Sequence, residues 1–256
     1  MDVLEVGGSL SKGFVLDELQ VNSWTGMESP EYATEVKKEN KVEDNNRLFG
    51  STLPDVEKND IGFHEPILSR GAYTVFYANI EELPEAHYEK YDRIFSIAAF
   101  EHILKFPFAL RKMYAALKPG GKLFTMFSPI WSSHNGHHLL PITDRAGKTY
   151  TFNNSPIPPW GHLLMRPAEL YDFLRHRTDE ETSVQLVYFV YTSPHINRFF
   201  TEDYAQFVQQ SPFNILRLEA TFPVDIQPDV QQHLQQLYPG REHFANNGIL
   251  MVLERT

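Results

Sequence analysis

YDRIFSIAAFEHILKFPFALRKMYAALKPGGKLFTMF, from Tyr91 to Phe127, reads as one complete βαβ crossover. Beyond Arg93 the run to Phe100 is apolar with a single Ser, too short for a membrane span and rich enough in Ile and Phe for a buried parallel strand. After Phe106-Pro107, the residues Ala109, Leu110, Met113, Ala116 and Leu117 fall at helical spacing, with Arg111, Lys112 and Lys118 outside that stripe. Pro119-Gly120-Gly121 is expected to end the helix, because Pro cannot continue it and Gly accepts positive φ. Lys122 to Phe127 is then the returning strand. An open α/β sheet binds its ligand at the carboxyl ends of its strands, and Glu101 and His102 sit just past one such end.

Composition limits what surrounds this unit. At 256 residues the chain has room for one large α/β domain with an elaboration, and a single domain over residues 1–256 is the expectation. A hydrophobic fraction of 42% with 22% charged residues is that of a soluble globular protein, and no segment supplies the uncharged run a membrane helix requires. Zero cysteine excludes disulfides, thiolate metal sites and a cysteine nucleophile, and the cytosol is the default compartment. The balance of 23 basic against 33 acidic residues, net −10, repels a phosphate backbone, so neither nucleic acid nor membrane is an expected partner.

Outward from the crossover the alternation continues. The chain opens almost directly on a strand, DVLEV, that runs into Gly7-Gly8. Doubly wound domains usually place a helix before that strand, so either the chain is short or a segment precedes it. A second strand is expected from Gln20 to Met27, followed by a helix start at Ser29-Pro30-Glu31. From Glu35 to Asp60 the chain turns polar, KKENKVEDNN included, and reads as a solvated helix end and loop. Tyr73 to Ala78 is a third strand with Asn79 at its carboxyl end. Beyond Phe127 the segment Ser128 to Pro159 is crowded with turn formers. Arg166 to Arg177 and Glu202 to Gln210 read as helices, and Val184 to Tyr191 suits either a strand or a buried helix. Phe213 to Phe222 alternates as a strand, Asp229 to Leu237 reads as helix, and Gly248 to Glu254 is a final apolar strand.

Chemistry-bearing groups recur at these strand ends. Glycine at Gly7 and Gly8 lets a ligand approach the backbone, and Ser9 and Ser11 are also small. Glu28 follows Gly8 by 20 residues, about the separation at which a carboxylate meets the hydroxyls of a ribose. Asn79 can both donate to and accept from an adenine edge. Each feature alone also has a plain structural reading as a turn, a cap or a satisfied histidine.

With those residues in view, the chain resembles the class I S-adenosylmethionine-dependent methyltransferases, of the group containing methyltransferase type 11 domains. YDRIFSIAAFEHI followed by ALRKMYAALKPGGKLF is close to that family's fourth- and fifth-strand motif, and the likeness covers residues 1–128 and, more loosely, Phe213 to Arg255. The resemblance implies a Rossmann-like α/β fold: a seven-stranded, mostly parallel sheet with helices on both faces and an antiparallel last strand. It also implies a cap inserted between strands five and six, over about 128–211. S-adenosyl-L-methionine is the implied cofactor. By position, Glu5, Gly7 and Gly8 would line its methionine end, Glu28 would hold the ribose, Asn79 and Ile80 would border the adenine, and Ile97 and Ala98 would close the other side, with His102 nearby. The family usually has Gly where this chain has Ser9 and Ser11, and often Asp in place of Glu28 and Asn79. Those departures bear on affinity more than on fold.

The expected cap opens with Ser128-Pro129-Ile130-Trp131-Ser132-Ser133-His134-Asn135-Gly136-His137-His138, in which three imidazoles fall within five residues. His137 and His138 are the candidate catalytic bases for a hydroxyl or amine acceptor, since histidine titrates near working pH. Structural hydrogen bonding is the plainer reading of the cluster. A metal site is the weakest, because adjacent His137 and His138 point differently and no carboxylate lies at a familiar ligand spacing. Trp160, Gly161, His162, Tyr188, Tyr191 and His195 are further candidates for the pocket wall, with core packing the ordinary reading of the aromatics. The expectation is therefore methyl transfer to a small-molecule acceptor, oxygen before nitrogen. A non-catalytic relative, favoured by Ser9, Ser11 and the absent leading helix, and a peptide or protein methyltransferase, compatible with the acidic charge, are the alternatives.

Overall fold

The computed structural model describes residues 1–8, 10, 12–30 and 61–256. Ser9, Ser11, Glu31 and the polar segment from Glu35 to Asp60 lie outside the described residues. The chain divides into two compact units, Met1–Phe127 with Phe207–Leu218 and Leu250–Thr256, and Ser128–Gln206 with Glu219–Ile249.

The first unit is built on the sheet. Strands β1 (Asp2–Val6), β2 (Ser23–Glu28), β4 (Tyr73–Tyr77), β5 (Tyr91–Ile97) and β6 (Leu117–Phe127) pair in parallel, and β3 (Leu68–Arg70) adds a short antiparallel edge beside β4. With β9 (Asn214–Pro223) and β10 (Asn246–Glu254) the order is β3-β4-β2-β1-β5-β6-β10-β9. Leaving aside β3, these are the seven strands of the expected sheet. The last strand runs antiparallel: Arg255, just beyond its end, exchanges backbone hydrogen bonds with Gly120 and Gly121 early in β6, while Asn247, near its start, accepts from Ile130 beyond the end of β6.

The crossover differs from its sequence reading at both ends of the helix. Helix α1 (Phe106–Ala116) buries Phe106 and, of the expected stripe, Ala109, Leu110, Met113 and Ala116, while Leu117 falls in β6. It stops before Pro119, because Leu117 is already extended at φ −73° and ψ 147°. Pro119-Gly120-Gly121 lies inside β6, where Gly120, at φ +77°, donates to Arg255. Strand β5 ends at Ile97, short of Phe100, because Ala98 turns to φ +52° and Phe100–His102 forms a 3-10 turn.

The second unit has its own apolar core, including Trp131, Tyr150, Trp160, Leu170, Leu186 and Phe244. A two-residue-strand hairpin, β7 (Ile142–Thr143) with β8 (Thr149–Tyr150), interrupts the turn-rich segment. Helices α2 (Gly161–Leu164), α3 (Pro167–Leu174), α4 (Glu180–Thr192), α5 (Thr201–Gln209) and α6 (Pro228–Leu237) follow. The ambiguous run from Val184 to Tyr191 is helical, within α4. Asp179 caps that helix by accepting from the Thr182 N–H at 3.0 Å, and Leu186, Phe189 and Val190 face inward. No helix among the described residues is long and apolar enough to cross a membrane.

Candidate active site at the carboxyl ends of four strands

Parallel pairing brings four strand ends level. Val6 lies opposite Met27, Glu28 opposite Tyr77, and Glu5 opposite both Gly26 and Phe95. Gly7, Glu28, Asn79 and the pair Ile97-Ala98 therefore follow one another across the edge formed by β4, β2, β1 and β5. From β1 the chain first builds the sheet outward through β2 and β4, and later returns to lay β5 on the other flank. The order reverses at β1/β5, the switch point at which such sheets bind ligands.

The loop after β1 is clamped from several sides. Gly7 adopts φ +74° and donates to the Met27 carbonyl at 2.8 Å. A Cβ on Gly7 would overlap the Cβ of Ala99, so no larger residue fits between the β1 and β5 loops. A Cβ on Gly8 would sit 2.5 Å from Glu5 Oε1. The buried Glu5 carboxylate accepts from the Leu10 N–H at 3.0 Å and from Trp24 Nε1 at 2.9 Å, and the Tyr73 hydroxyl donates to the Leu10 carbonyl at 2.7 Å. Burial pushes the Glu5 carboxyl up to about 7, outweighing those donors, and the nearby Glu28 charge pushes the same way. Trp24 and Tyr73 are site-forming residues that the sequence reading missed; neither carries a motif signal, and each acts only after β1, β2 and β4 align.

The remaining strand ends differ in exposure. Glu28 is buried and accepts from the Ser29 N–H at 3.0 Å, while Asn79 is half-buried and Ile80 buried at the start of a 3-10 turn. Ser96 donates to the Val6 carbonyl at 2.7 Å and ties β5 to β1. Beyond it Ile97 and Ala98 are exposed, an apolar ledge at the switch point. Glu101 is fully buried and His102 half-buried in the following turn.

In the second unit the histidines are largely absorbed by packing. His137 is buried, its Nδ1 accepting from the Leu139 N–H at 3.2 Å, and burial holds its pKa well below the usual histidine range. His162 lies edge-on to it, ring centres 5.6 Å apart, and donates Nε2–H to the Trp131 carbonyl at 2.8 Å. Burial pulls His162 down to about 4. His134 packs edge-on to Trp160 and is also lowered by burial. His138, half-buried like His134, sits at φ +45° with its ring 5.1 Å from that of Phe152. Of the other candidate wall residues, Trp160 donates Nε1–H to the Phe244 carbonyl at 3.1 Å, Tyr191 donates to the Met165 carbonyl at 2.7 Å, and Tyr188 is exposed.

A sequence model of the methyltransferase domain matches residues 8–125, the stretch that carries β2 to β6 and most of these strand ends. Residues 8–125 form an S-adenosylmethionine-dependent methyltransferase domain. Among solved structures, this methyltransferase is similar to an S-adenosylmethionine-dependent methyltransferase from Mesorhizobium loti, at 12% identity and a TM-score of 0.49, over 99% of this chain and 90% of that one. It is also similar to phosphoethanolamine N-methyltransferase 2 from Haemonchus contortus, at 11% identity and a TM-score of 0.47, over 100% of this chain and 48% of that one. No curated protein matches the chain.

The methyltransferase site suits the cofactor of its class, S-adenosylmethionine, by its donor set. Among its residues Glu28 contributes a buried carboxylate, Asn79 a half-buried amide, and Ile97-Ala98 an exposed apolar surface. The acidic character contributed by Glu5 and Glu28 complements a sulfonium cation. The two glycines play a more internal part than the motif suggests, making room for Ala99 and for the Glu5 carboxylate.

Proposed function

We propose that this methyltransferase methylates a small-molecule acceptor, at oxygen in preference to nitrogen, with Glu28 taking the ribose and Asn79 with Ile80 bordering the adenine. Ile97 and Ala98 cover the opposite face of the base, His102 flanks it, and the Gly7-Gly8 backbone borders the methionine end, braced from beneath by Glu5. The observation that carries this assignment is the alignment of Glu28, Asn79 and Ile97-Ala98 on the carboxyl ends of adjacent strands. When bound, S-adenosylmethionine supplies an electrophilic methyl group on a sulfonium. The protein's own tasks are then to orient the acceptor and to take its proton.

For that proton we assign His138 rather than His137. A base must meet its acceptor, and His138 is half-buried where His137 is buried with Nδ1 already accepting from Leu139. His137 acts in this scheme by holding the turn that presents its neighbour. A neutral imidazole removes the proton of a hydroxyl as the new bond to carbon forms, a service that a free amine, with its lone pair exposed, does not need. The second unit is assigned the selection of the acceptor.

Transfer of a labelled methyl group to matched panels of small alcohols, phenols, carboxylic acids and amines tests the reading. Turnover on oxygen acceptors, lost in His138→Ala with cofactor affinity retained, is the expected outcome. Turnover confined to amines, or to peptides, contradicts it.

A further inference from the structure

We infer that His137 and His162 together form a buried site for one neutral hydroxyl group, which accepts a hydrogen bond from His137 Nε2–H and donates one to His162 Nδ1. The site lies wholly within the second unit. Its polarity is set by backbone contacts that leave each imidazole a single tautomer. The Trp131 carbonyl, 2.8 Å from His162 Nε2, can only accept, so that nitrogen carries the proton and Nδ1 presents a bare lone pair. At His137 the Leu139 N–H can only donate, so Nδ1, 3.2 Å away, is the lone pair and Nε2 carries the proton. Both assignments require neutral rings, and burial lowers the basicity of both.

Two complementary groups are left over. His162 is 2% exposed, and its buried Nδ1 has no hydrogen-bond partner among the described residues. His137 is 1% exposed, and no described residue accepts from its Nε2–H. The rings meet edge-on with centres 5.6 Å apart but form no direct N–H···N bond. His134 acts electrostatically on both rings and has a buried Nδ1 that is likewise without a partner among the described residues. Trp131 packs edge-on against His162, centres 4.6 Å apart, as an apolar wall. Buried polar groups are almost always hydrogen-bonded, and two or three such groups are what an enclosed hydroxyl needs.

The pattern of donor and acceptor selects the chemistry. A hydroxyl accepts and donates through one oxygen and so satisfies both rings at once. A carboxylate only accepts and would set its charge against the His162 lone pair, whereas an ammonium only donates and would face the His137 N–H. Neutral imidazoles supply no countercharge for either ion, so burying one here is unfavourable. Water and an alcohol or phenol share the required chemistry. Only the second source rests on the proposed transfer to oxygen, for which this site is the element of the second unit that tells a hydroxyl from an amine.

Side-chain nitrogen NMR of the isotope-labelled full chain at about pH 7, where both rings are neutral, tests the site. Both rings should carry their proton on Nε2, and the His137 Nε2–H should show an Overhauser contact to a bound hydroxyl. Contact to long-lived water identifies solvent as the occupant, and its replacement by contacts to added phenol identifies the group of an acceptor. Benzoate and benzylamine should leave both rings unmoved. His162→Phe, which keeps a ring and removes the lone pair, should abolish the contact at His137; if that variant fails to fold, the wild-type spectra decide alone. A water contact that phenol leaves in place upholds the hydroxyl site and separates it from acceptor selection, leaving transfer to oxygen to be judged by the labelled-methyl panels. A His162 ring protonated on Nδ1, a scalar coupling across a direct bond between the two rings, a response to benzoate or benzylamine in place of phenol and water, or a His137 N–H that contacts neither hydroxyl source would each overturn the inference.

Discussion

Glu5 in the first unit and His162 in the second face the same physical problem, a titratable side chain removed from water, with opposite consequences for pH. Burial pushes the Glu5 carboxyl from 4.5 up to about 7 and pulls the His162 imidazole from 6.5 down to about 4. The folded state thus binds the Glu5 proton more tightly than the unfolded chain does. That contribution to stability is complete below about 4.5 and is lost as pH rises through about 7. At His162 the folded state disfavours the proton, so the contribution is complete above 6.5 and lost as pH falls through about 4. The difference teaches where each unit is vulnerable: the β1 loop toward neutral pH, and the histidine-rich segment toward acid.

The largest effect should come from removing the geometry on which the Glu5 clamp depends. Gly7→Ala combines a positive φ with overlap against Ala99, and should cost about 3 kcal/mol or more. Urea unfolding measures that loss. An unchanged midpoint would show that the loop relaxes freely and that the clamp is not what shapes it.

The opposite pH signatures come next in size. Relative to Glu5→Gln, the wild type should lose up to about 3 kcal/mol of stability between pH 4.5 and 7, the shift expressed as free energy. Relative to His162→Gln, it should lose a similar amount, up to about 3 kcal/mol, as pH falls from 6.5 to 4. Chemical unfolding at a series of pH values, with fluorescence of Trp131 and Trp160 following the second unit, gives both slopes. Parallel slopes in wild type and variant would remove the named residue as the source.

Smaller, and confined to function, are the effects at exposed or strand-end groups. His138→Ala should lower kcat about 100-fold and leave the dissociation constant for S-adenosylhomocysteine unchanged. His137→Ala should instead lower stability, since it deprives the Leu139 N–H of its acceptor. Equal kcat in the His138 variant and wild type would remove that residue from the chemistry. Glu28→Ala should weaken cofactor binding about tenfold, the loss of a charged hydrogen-bond acceptor. An unchanged dissociation constant would mean that the ribose lies elsewhere.

The same two regions show what a sequence carries by itself. The strands and helix from Tyr91 to Phe127 are local in origin, so periodicity and the Ile- and Phe-rich run were enough to read them. Pro119-Gly120-Gly121 was not, because its place within β6 depends on Arg255, at the far end of the chain. Val184 to Tyr191 was ambiguous for a related reason: its apolar run suits either element until the Asp179 cap and the inward packing of Leu186 and Val190 decide. At the site, strand ends were legible from Gly7, Glu28 and Asn79, whereas Trp24 and Tyr73 join through contacts 19 and 63 residues apart in the chain. In the second unit, His134, His137 and His138 look alike in sequence. Only their surroundings separate a buried acceptor from a half-exposed candidate base.

The central claim is that the strand ends of the first unit hold S-adenosylmethionine. Isothermal titration of the full chain with S-adenosylhomocysteine, in parallel with Glu28→Ala, tests it most directly. Saturable binding at one site, weakened about tenfold in the variant, is the predicted result. No detectable heat from the folded wild type at millimolar ligand would contradict it.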